Sequence, residues 1–371
     1  MEFRISQASF SKALQKIQGI VERRQTMPIL ANTLIEAEDE QLAITATDLE
    51  VGVKSTYGAL VESPGRITVS ARKLFEIVKE LPPEDIHITV KENERVDIRC
   101  GKSKFSIVGV SADDYPYFPK VSNVPFSPID CQILGRMIEL TSFAICTDET
   151  KYNLNGIFLT IGGVDGESVR VVATDGHRLS LAEYPITNSF QPEFKNGVII
   201  PRKGVSELKK LCDESTGDIL LGYMDNSIVV KKEETTIVIR LVNGLFPDYT
   251  RVIPTANDRL IKVQRDTIVH ALKRMMIMSN EKIKGVRFDI NQDRMTVTSS
   301  NPDFGEAVEE LEIMYQGEEM VIRLNAKYLV DAISVMESDI VEIMLKDELI
   351  PVILKEANND RFMTVVMPMR I

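Results

Sequence analysis

Apolar residues recur along the chain with two alternating periods. Phe10, Ala13, Leu14 and Ile17 fall at i, i+3, i+4 and i+7, the stripe of an amphipathic helix. The stripe returns at Ile268, Ala271, Leu272 and Met275. It also appears at Leu74, Ile77, Val78 and Leu81, and at Leu329, Ala332, Ile333 and Met336. Windows 8–24, 72–80, 131–146, 202–211, 265–284 and 325–336 are predicted helices. Between them apolar and polar residues alternate, as in strands with one buried face.

These patterns come in three copies. A strand pair with an acidic or amide corner reads LAITATDLEVGV, VRVVATDGHRLSLAEY and MTVTSSNPDFGEAVEEL; its corners, Asp48, Asp175 and Asn301, are 127 and 126 residues apart. A strand and then a helix follow each time, with Ala71, Pro201 and Asn325 as aligned positions. Two strands close each copy. Proline-bearing stretches at 118–130 and 252–260 separate the copies. The expected fold is α+β: three similar domains at 1–124, 125–253 and 254–371, each with two helices and about eight strands.

Composition narrows the function. Hydrophobic residues make up 44% of 371 and charged residues 27%, enough to bury a core. No signal peptide and no apolar run of membrane-spanning length is expected, so the reading is cytoplasmic. Cys100, Cys131, Cys146 and Cys212 lack metal-ligand spacing and read as buried free thiols.

A net charge of −11 argues against phosphate binding until charge is sorted by element. Windows 8–24, 202–211 and 265–284 each carry +3, window 72–80 carries +1, and the other two are neutral. The predicted helices thus sum to +10 and the remainder to −21. A basic helical face suits sequence-blind contact with a duplex backbone, and the absence of Trp speaks against a stacking platform for single strands. Residues 95–104 carry +3 and residues 303–312 carry −5, complementary ends for a head-to-tail contact between chains.

Catalytic signatures fail. Gly101-Lys102-Ser103 resembles the end of a P-loop, but the first glycine's position holds Val96. His87, His177 and His270 are the only histidines, and His177 reads as a turn residue. Asp113 and Asp114 read as a solvated turn before Pro116. No catalytic residue, metal or cofactor is expected.

Several segments carry a more specific signal. MPILANTL at 27–34, ATDGHRL at 173–179, IPRKGV at 200–205, GLFPDYTRVIP at 244–254, SNEKIKGVRF at 279–288 and VVMPMRI at 365–371 together resemble the β-subunit family of bacterial DNA polymerase III, the sliding clamps. The resemblance spans the chain. It implies a non-enzymatic, head-to-tail dimeric ring of DNA-clamp domains, with helices lining a hole around duplex DNA.

The resemblance also implies a pocket for short peptides of a polymerase, a clamp loader and other proteins. The matching positions are Leu154, Thr174, Gly176, His177, Arg178, Leu179, Pro247, Arg251 and Val252, with Leu349, Pro351, Val365, Val366, Met367, Pro368, Met369 and Arg370. For DNA it implies Arg24 and Tyr152. Arg202 and Lys203 open a channel helix, and Lys12, Lys16, Lys209, Lys210, Lys273 and Arg274 rest on charge and helix position. For the ring contact it implies Phe105, Ile107, Ile277 and Met278. Lys151 stands where some relatives carry Arg, and Ile371 where some carry Leu. The alternatives are a peptide-binding scaffold that never encircles DNA and a nucleotide-dependent enzyme.

Overall fold

In the computed structural model the chain is described at residues 1–21, 27–162, 168–187, 189–280 and 283–369. Arg24, Arg370 and Ile371 lie outside the described residues. The first copy holds β1 (Glu2–Ser6), α1 (Gln7–Ile17), β2 (Asn32–Glu38), β3 (Gln41–Thr47), β4 (Val51–Gly58), β5 (Leu60–Ser63), β6 (Gly65–Ser70), α2 (Ala71–Lys79), β7 (Asp85–Val90), β8 (Arg95–Cys100) and β9 (Ser103–Val110). The second holds β10 (Ser127–Asp130), α3 (Cys131–Ser142), β11 (Gly156–Gly162), β12 (Ser168–Thr174), β13 (Arg178–Pro185), α4 (Pro192–Asn196), β14 (Val198–Pro201), α5 (Arg202–Asp213), β15 (Asp218–Met224), β16 (Ser227–Lys232) and β17 (Thr235–Arg240). The third holds β18 (Arg259–Gln264), α6 (Arg265–Met278), β19 (Gly285–Asn291), β20 (Arg294–Asn301), β21 (Gly305–Glu312), β22 (Met320–Asn325), α7 (Ala326–Ser334), β23 (Ile340–Leu345), β24 (Val352–Glu356) and β25 (Asn359–Val366).

The apolar stripes bury as expected. Phe10, Ala13, Leu14 and Ile17 of α1 and Ile268, Ala271, Leu272 and Met275 of α6 are in the core. Each copy pairs its two long helices: α1 on α2, α3 on α5, and α6 on α7. Several helices are shorter than their windows. Helix α1 ends at Ile17, and α6 ends at Met278 because Ser279 turns extended. The middle copy carries the extra short helix α4, which the apolar periodicity does not signal. The strand-to-helix alignment also shifts by one in the first copy. The cap is Ser70, whose hydroxyl accepts from the Lys73 amide, and Ala71 is already helical. Pro201 and Asn325 are the corresponding caps.

The corner residues act through their side chains. Asp48 Oδ1 accepts from the amides of Glu50 and Val51 at 2.9 and 2.7 Å, and Asp175 Oδ1 from those of His177 and Arg178 at 2.9 and 3.0 Å. Both turns require a left-handed second residue. Gly176 takes it easily at φ 92°, whereas Leu49 takes it at φ 76°. Asn301 makes a tighter corner, accepting from the Asp303 amide at 3.0 Å.

The chain compacts into two units that do not follow the copies. Residues 1–130 and 216–241 form one, and 131–215 and 242–371 the other. The first is built on a 13-stranded antiparallel sheet, ordered β10-β15-β16-β17-β4-β3-β2-β6-β9-β8-β7-β1-β5. The second contains an eight-stranded sheet, β14-β11-β12-β13-β25-β24-β23-β18, and a four-stranded sheet, β21-β20-β19-β22. One junction joins copies inside each unit. Thr235–Ile239 of β17 pair with Ser55–Val51 of β4, and Phe362–Val366 of β25 pair with Ala182–Arg178 of β13.

All four cysteines are free and buried. No helix among the described residues is long and apolar enough to cross a membrane. Gly101 and Lys102 form the turn between β8 and β9, a hairpin rather than a phosphate loop.

Tyr115 plugs the outer face of the first unit's sheet. Its hydroxyl donates to the carbonyl oxygens of Asn32 and Thr45 at 3.2 and 3.4 Å, and burial pushes its phenol up to about 12. A phenol raised in the fold stabilises fully below its unfolded pKa of about 10 and loses that contribution as pH rises through 12. Tyr115→Phe should therefore differ most from the wild type below pH 10. The gap in thermal midpoint should narrow between pH 10 and 12; a constant gap would contradict the assignment.

Candidate functional site

The sheet junction of the second unit carries a cavity of about 190 Å³. Its floor is Leu179 of β13 and Val365 of β25, paired across the junction and 3% and 2% exposed. Beneath them Val172, Leu181 and Ile353 make a buried cluster, against which Phe158, Phe246 and Tyr249 pack. Phe246 stacks on Phe158 with centroids 4.8 Å apart. Thr174, Gly176, His177 and Arg178 form one wall, Leu154 and Met367 contribute edges, and Pro247, Asp248, Tyr249 and Val252 form the rim opposite. Apolar floor and polar walls make a slot for an apolar side chain on a hydrogen-bonding backbone.

Arg178 holds the slot in shape. It is 8% exposed, donates to Asp175 Oδ2 at 3.1 Å, to Asp331 Oδ2 at 2.8 Å and to the Phe143 carbonyl oxygen at 2.6 Å, and lies over the Tyr328 ring at 4.5 Å. One planar fork thus ties the Asp175 corner to α3 and α7. His177 lies near-parallel to Tyr328, and its carbonyl oxygen accepts from the Met367 amide at 2.9 Å, which leads the chain out of β25 along the slot. Burial, then the Asp175 charge, raises the Tyr328 phenol pKa. At the rim, hydrogen bonds led by the Thr250 hydroxyl lower the Asp248 carboxyl pKa.

Ten of the expected pocket positions line this cavity: Leu154, Thr174, Gly176, His177, Arg178, Leu179, Pro247, Val252, Val365 and Met367. The other described positions stand outside its wall. Arg251 is solvent-exposed and donates to Asp248 Oδ2 at 2.9 Å, so it reaches the rim through that carboxylate. Leu349 is exposed and Pro351 half-buried in the segment before β24, while Val366 is fully buried in the junction. Pro368 and Met369 follow the strand, and the Met369 amide donates to the Arg323 carbonyl oxygen at 2.8 Å. Asp248 and Tyr249 belong to the wall but were not expected there. Their signal was the Asp-x-Thr turn in FPDYT, since Asp248 accepts from the Thr250 amide and hydroxyl.

Eight of the ten expected DNA contacts fall on three helices. Lys12 on α1, Arg202 on α5 and Lys273 on α6 are exposed and carry no ion pair among the described residues. Lys203 follows Arg202 in the first turn of α5. The others are engaged: Lys16 donates to Thr235 at 3.2 Å, Lys209 pairs with Asp213, Lys210 with Glu207 at 2.6 Å, and Arg274 with Glu309 on β21. Tyr152 is 59% exposed on a short 3-10 turn, and Lys151 beside it donates to the Asp175 carbonyl oxygen at 3.5 Å. At the expected ring contacts, Phe105 and Ile107 lie on β9, and Ile277 and Met278 end α6. Ile277 is 77% exposed and Phe105 43%.

One group among the described residues has metal-ligand spacing: Glu2, Glu62 and His87 on adjoining strands. Arg4 pairs with Glu62 at 2.9 Å, His87 Nε2 lies 2.7 Å from Glu2 Oε1, and the Thr89 hydroxyl donates to that same oxygen at 3.3 Å.

Three family models match the chain: the N-terminal, central and C-terminal domains of the DNA polymerase III beta subunit, at residues 1–119, 128–248 and 250–370. The beta sliding clamps of Pseudomonas putida and Escherichia coli K12 are 38% and 36% identical, each over the whole of both chains. Among solved structures, the Pseudomonas aeruginosa DNA polymerase III subunit beta superposes with a TM-score of 0.93 at 36% identity, covering both chains fully. The Bartonella birtlesii sliding clamp bound to griselimycin does so with 0.94 at 35%, also fully.

Removing Arg178 would take the cation from half-buried Asp175 and leave half-buried Asp331 to Lys327 alone. Arg178→Ala should cost about 1.5–3 kcal/mol, whereas Arg251→Ala should stay within about 0.5 kcal/mol. Guanidinium titration of both variants checks this; equal midpoints would contradict the anchoring role.

Proposed function

The chain belongs to the DNA polymerase III beta subunit family, and on that footing we propose that it is a replicative sliding clamp. Two copies close head to tail into a ring around duplex DNA and tether a polymerase to it. The ring is assembled from clamp domains at 1–124, 125–253 and 254–371, works in the cytoplasm on chromosomal DNA, and contributes no catalytic residue.

One observation carries the ring. The strand after each corner accepts the closing strand of the following copy: β4 takes β17, and β13 takes β25. The same strand of the third copy, β21, is a sheet edge. The closing strand of the first copy, β9, pairs along β8 but meets β6 only at Gly109 and Val110. The third junction of the series therefore needs a second chain, with β9 of one against β21 of the other. The pieces fit. Phe105 and Ile107 sit opposite the buried Ile98 and Val96, so they extend the core side of the sheet toward its open edge. On the other partner Ile277, Phe304 and Val308 are 77%, 70% and 61% exposed. The β9 hairpin is basic and β21 acidic. Each chain then offers one of each edge, and two chains satisfy both by twofold symmetry.

DNA is held by closure rather than by tight contacts. Exposed Lys12, Arg202 and Lys273 on α1, α5 and α6 provide weak, sequence-blind attraction to phosphates, with Tyr152 and Lys203 beside them. The slot over Leu179 and Val365 takes a short apolar peptide of the polymerase or the clamp loader, and Met367 gives it a deformable edge.

Light scattering should find twice the 41.7 kDa chain mass. Ile277→Glu with Met278→Glu should give the single chain mass, and an unchanged mass would overturn the ring contact. Met367→Asp should keep the dimer and weaken a polymerase tail peptide by about tenfold, near 1.4 kcal/mol. Unaltered affinity by fluorescence anisotropy would remove the slot from the peptide site.

A further inference from the structure

The two in-chain junctions are built alike but open onto different chemistry. Gly52 opposite Val238 in the first unit matches Leu179 opposite Val365 in the second. Each junction is overlaid by an interdomain segment with a Phe-Pro step, Phe118-Pro119 or Phe246-Pro247. Where Leu179 provides an apolar floor, Gly52 has no side chain. The Phe118 ring covers it instead, 3.1 Å from where a Cβ would stand. The opening is thereby displaced onto the cross-strand row of Leu34, Lys54 and Thr236, and it enlarges to a groove of about 580 Å³.

This groove is charged and aromatic. Lys54 pairs with Glu36 at 2.9 Å and Arg66 with Asp113 at 2.5 Å, which uses both carboxylates of the lining. Lys120 remains, exposed and without an ion pair among the described residues. The lining therefore carries a net positive charge on a chain of net −11. Tyr117, 72% exposed, stands between Pro116 and Phe118.

We infer that this groove is a second docking site, for an extended, acidic, proline-bearing peptide segment of a partner protein. Aromatic and proline walls suit a preformed extended backbone, which loses little entropy on docking. Lys120 calls for a carboxylate. The peptide class rests on the reading of the neighbouring copy's slot given above, but the chemistry is different: charge and proline here, an apolar side chain there.

The test is anisotropy of a fluorescein-labelled Asp-Glu-Pro-Leu-Pro-Asp-Glu peptide against the full-length protein at low salt. Saturable binding is expected, weakened by about tenfold or more in Lys120→Glu and in Tyr117→Ala. Lys120→Glu should keep the wild-type mass and the wild-type affinity for a polymerase tail peptide. Absence of saturable binding to the wild type would overturn the inference, as would equal binding by both variants. Loss of the probe in Met367→Asp would place it in the other slot and overturn the inference too. Failure here with polymerase peptide binding intact would leave the clamp reading standing.

Discussion

Backbone hydrogen bonds between the closing strand of one copy and the post-corner strand of the copy before it are the constraint on which the rest depends. A strand with a free edge must be paired, covered or guarded. In each junction five residue pairs meet in antiparallel register, and the side chains on the two faces divide the work. The helix-facing side fills with core residues such as Val53, Ile237, Ser180 and Thr364. The opposite side is left to whatever the interdomain segment lays over it. Both cavities lie there, which is why equivalent places in the repeat hold sites of different character.

The corner residue makes this possible. Asp48 and Asp175 cap their own turns with a carboxylate oxygen, which fixes where the next strand begins and so which residues face which side. At Asp175 the same carboxylate also receives Arg178, so the turn, α3 and α7 share one guanidinium. At Asp48 the corresponding position is Val51, which has no guanidinium to offer. Asn301 makes a tighter corner, and its strand β21 is an acidic edge steadied by Arg274.

Much of this was legible in the sequence. Burial follows the 3.6-residue and two-residue periods, so the stripes of α1, α6 and α7 and the tripled strand pairs were readable directly. What periodicity could not show is how segments far apart in the chain meet. The slot depended on a family resemblance, because nothing local to Val365 announces Leu179 as its neighbour. Charge counting saw ten excess positive charges on the predicted helical windows but could not see that Arg274, Lys209 and Lys210 are paired with carboxylates. Helix α4 escaped because its five residues are too few to display a period. The groove of the first unit was invisible, since Asp113 and Lys120 read only as a polar linker.

The central claim is that the third junction closes between two chains and holds DNA by topology. Its most direct test is retention on a nicked circle after loading, measured before and after the circle is cut. The account predicts stable retention on the circle and rapid loss from the linear form, because only closure holds the duplex. Equal retention on both forms would contradict it and favour a scaffold bound by ordinary contacts.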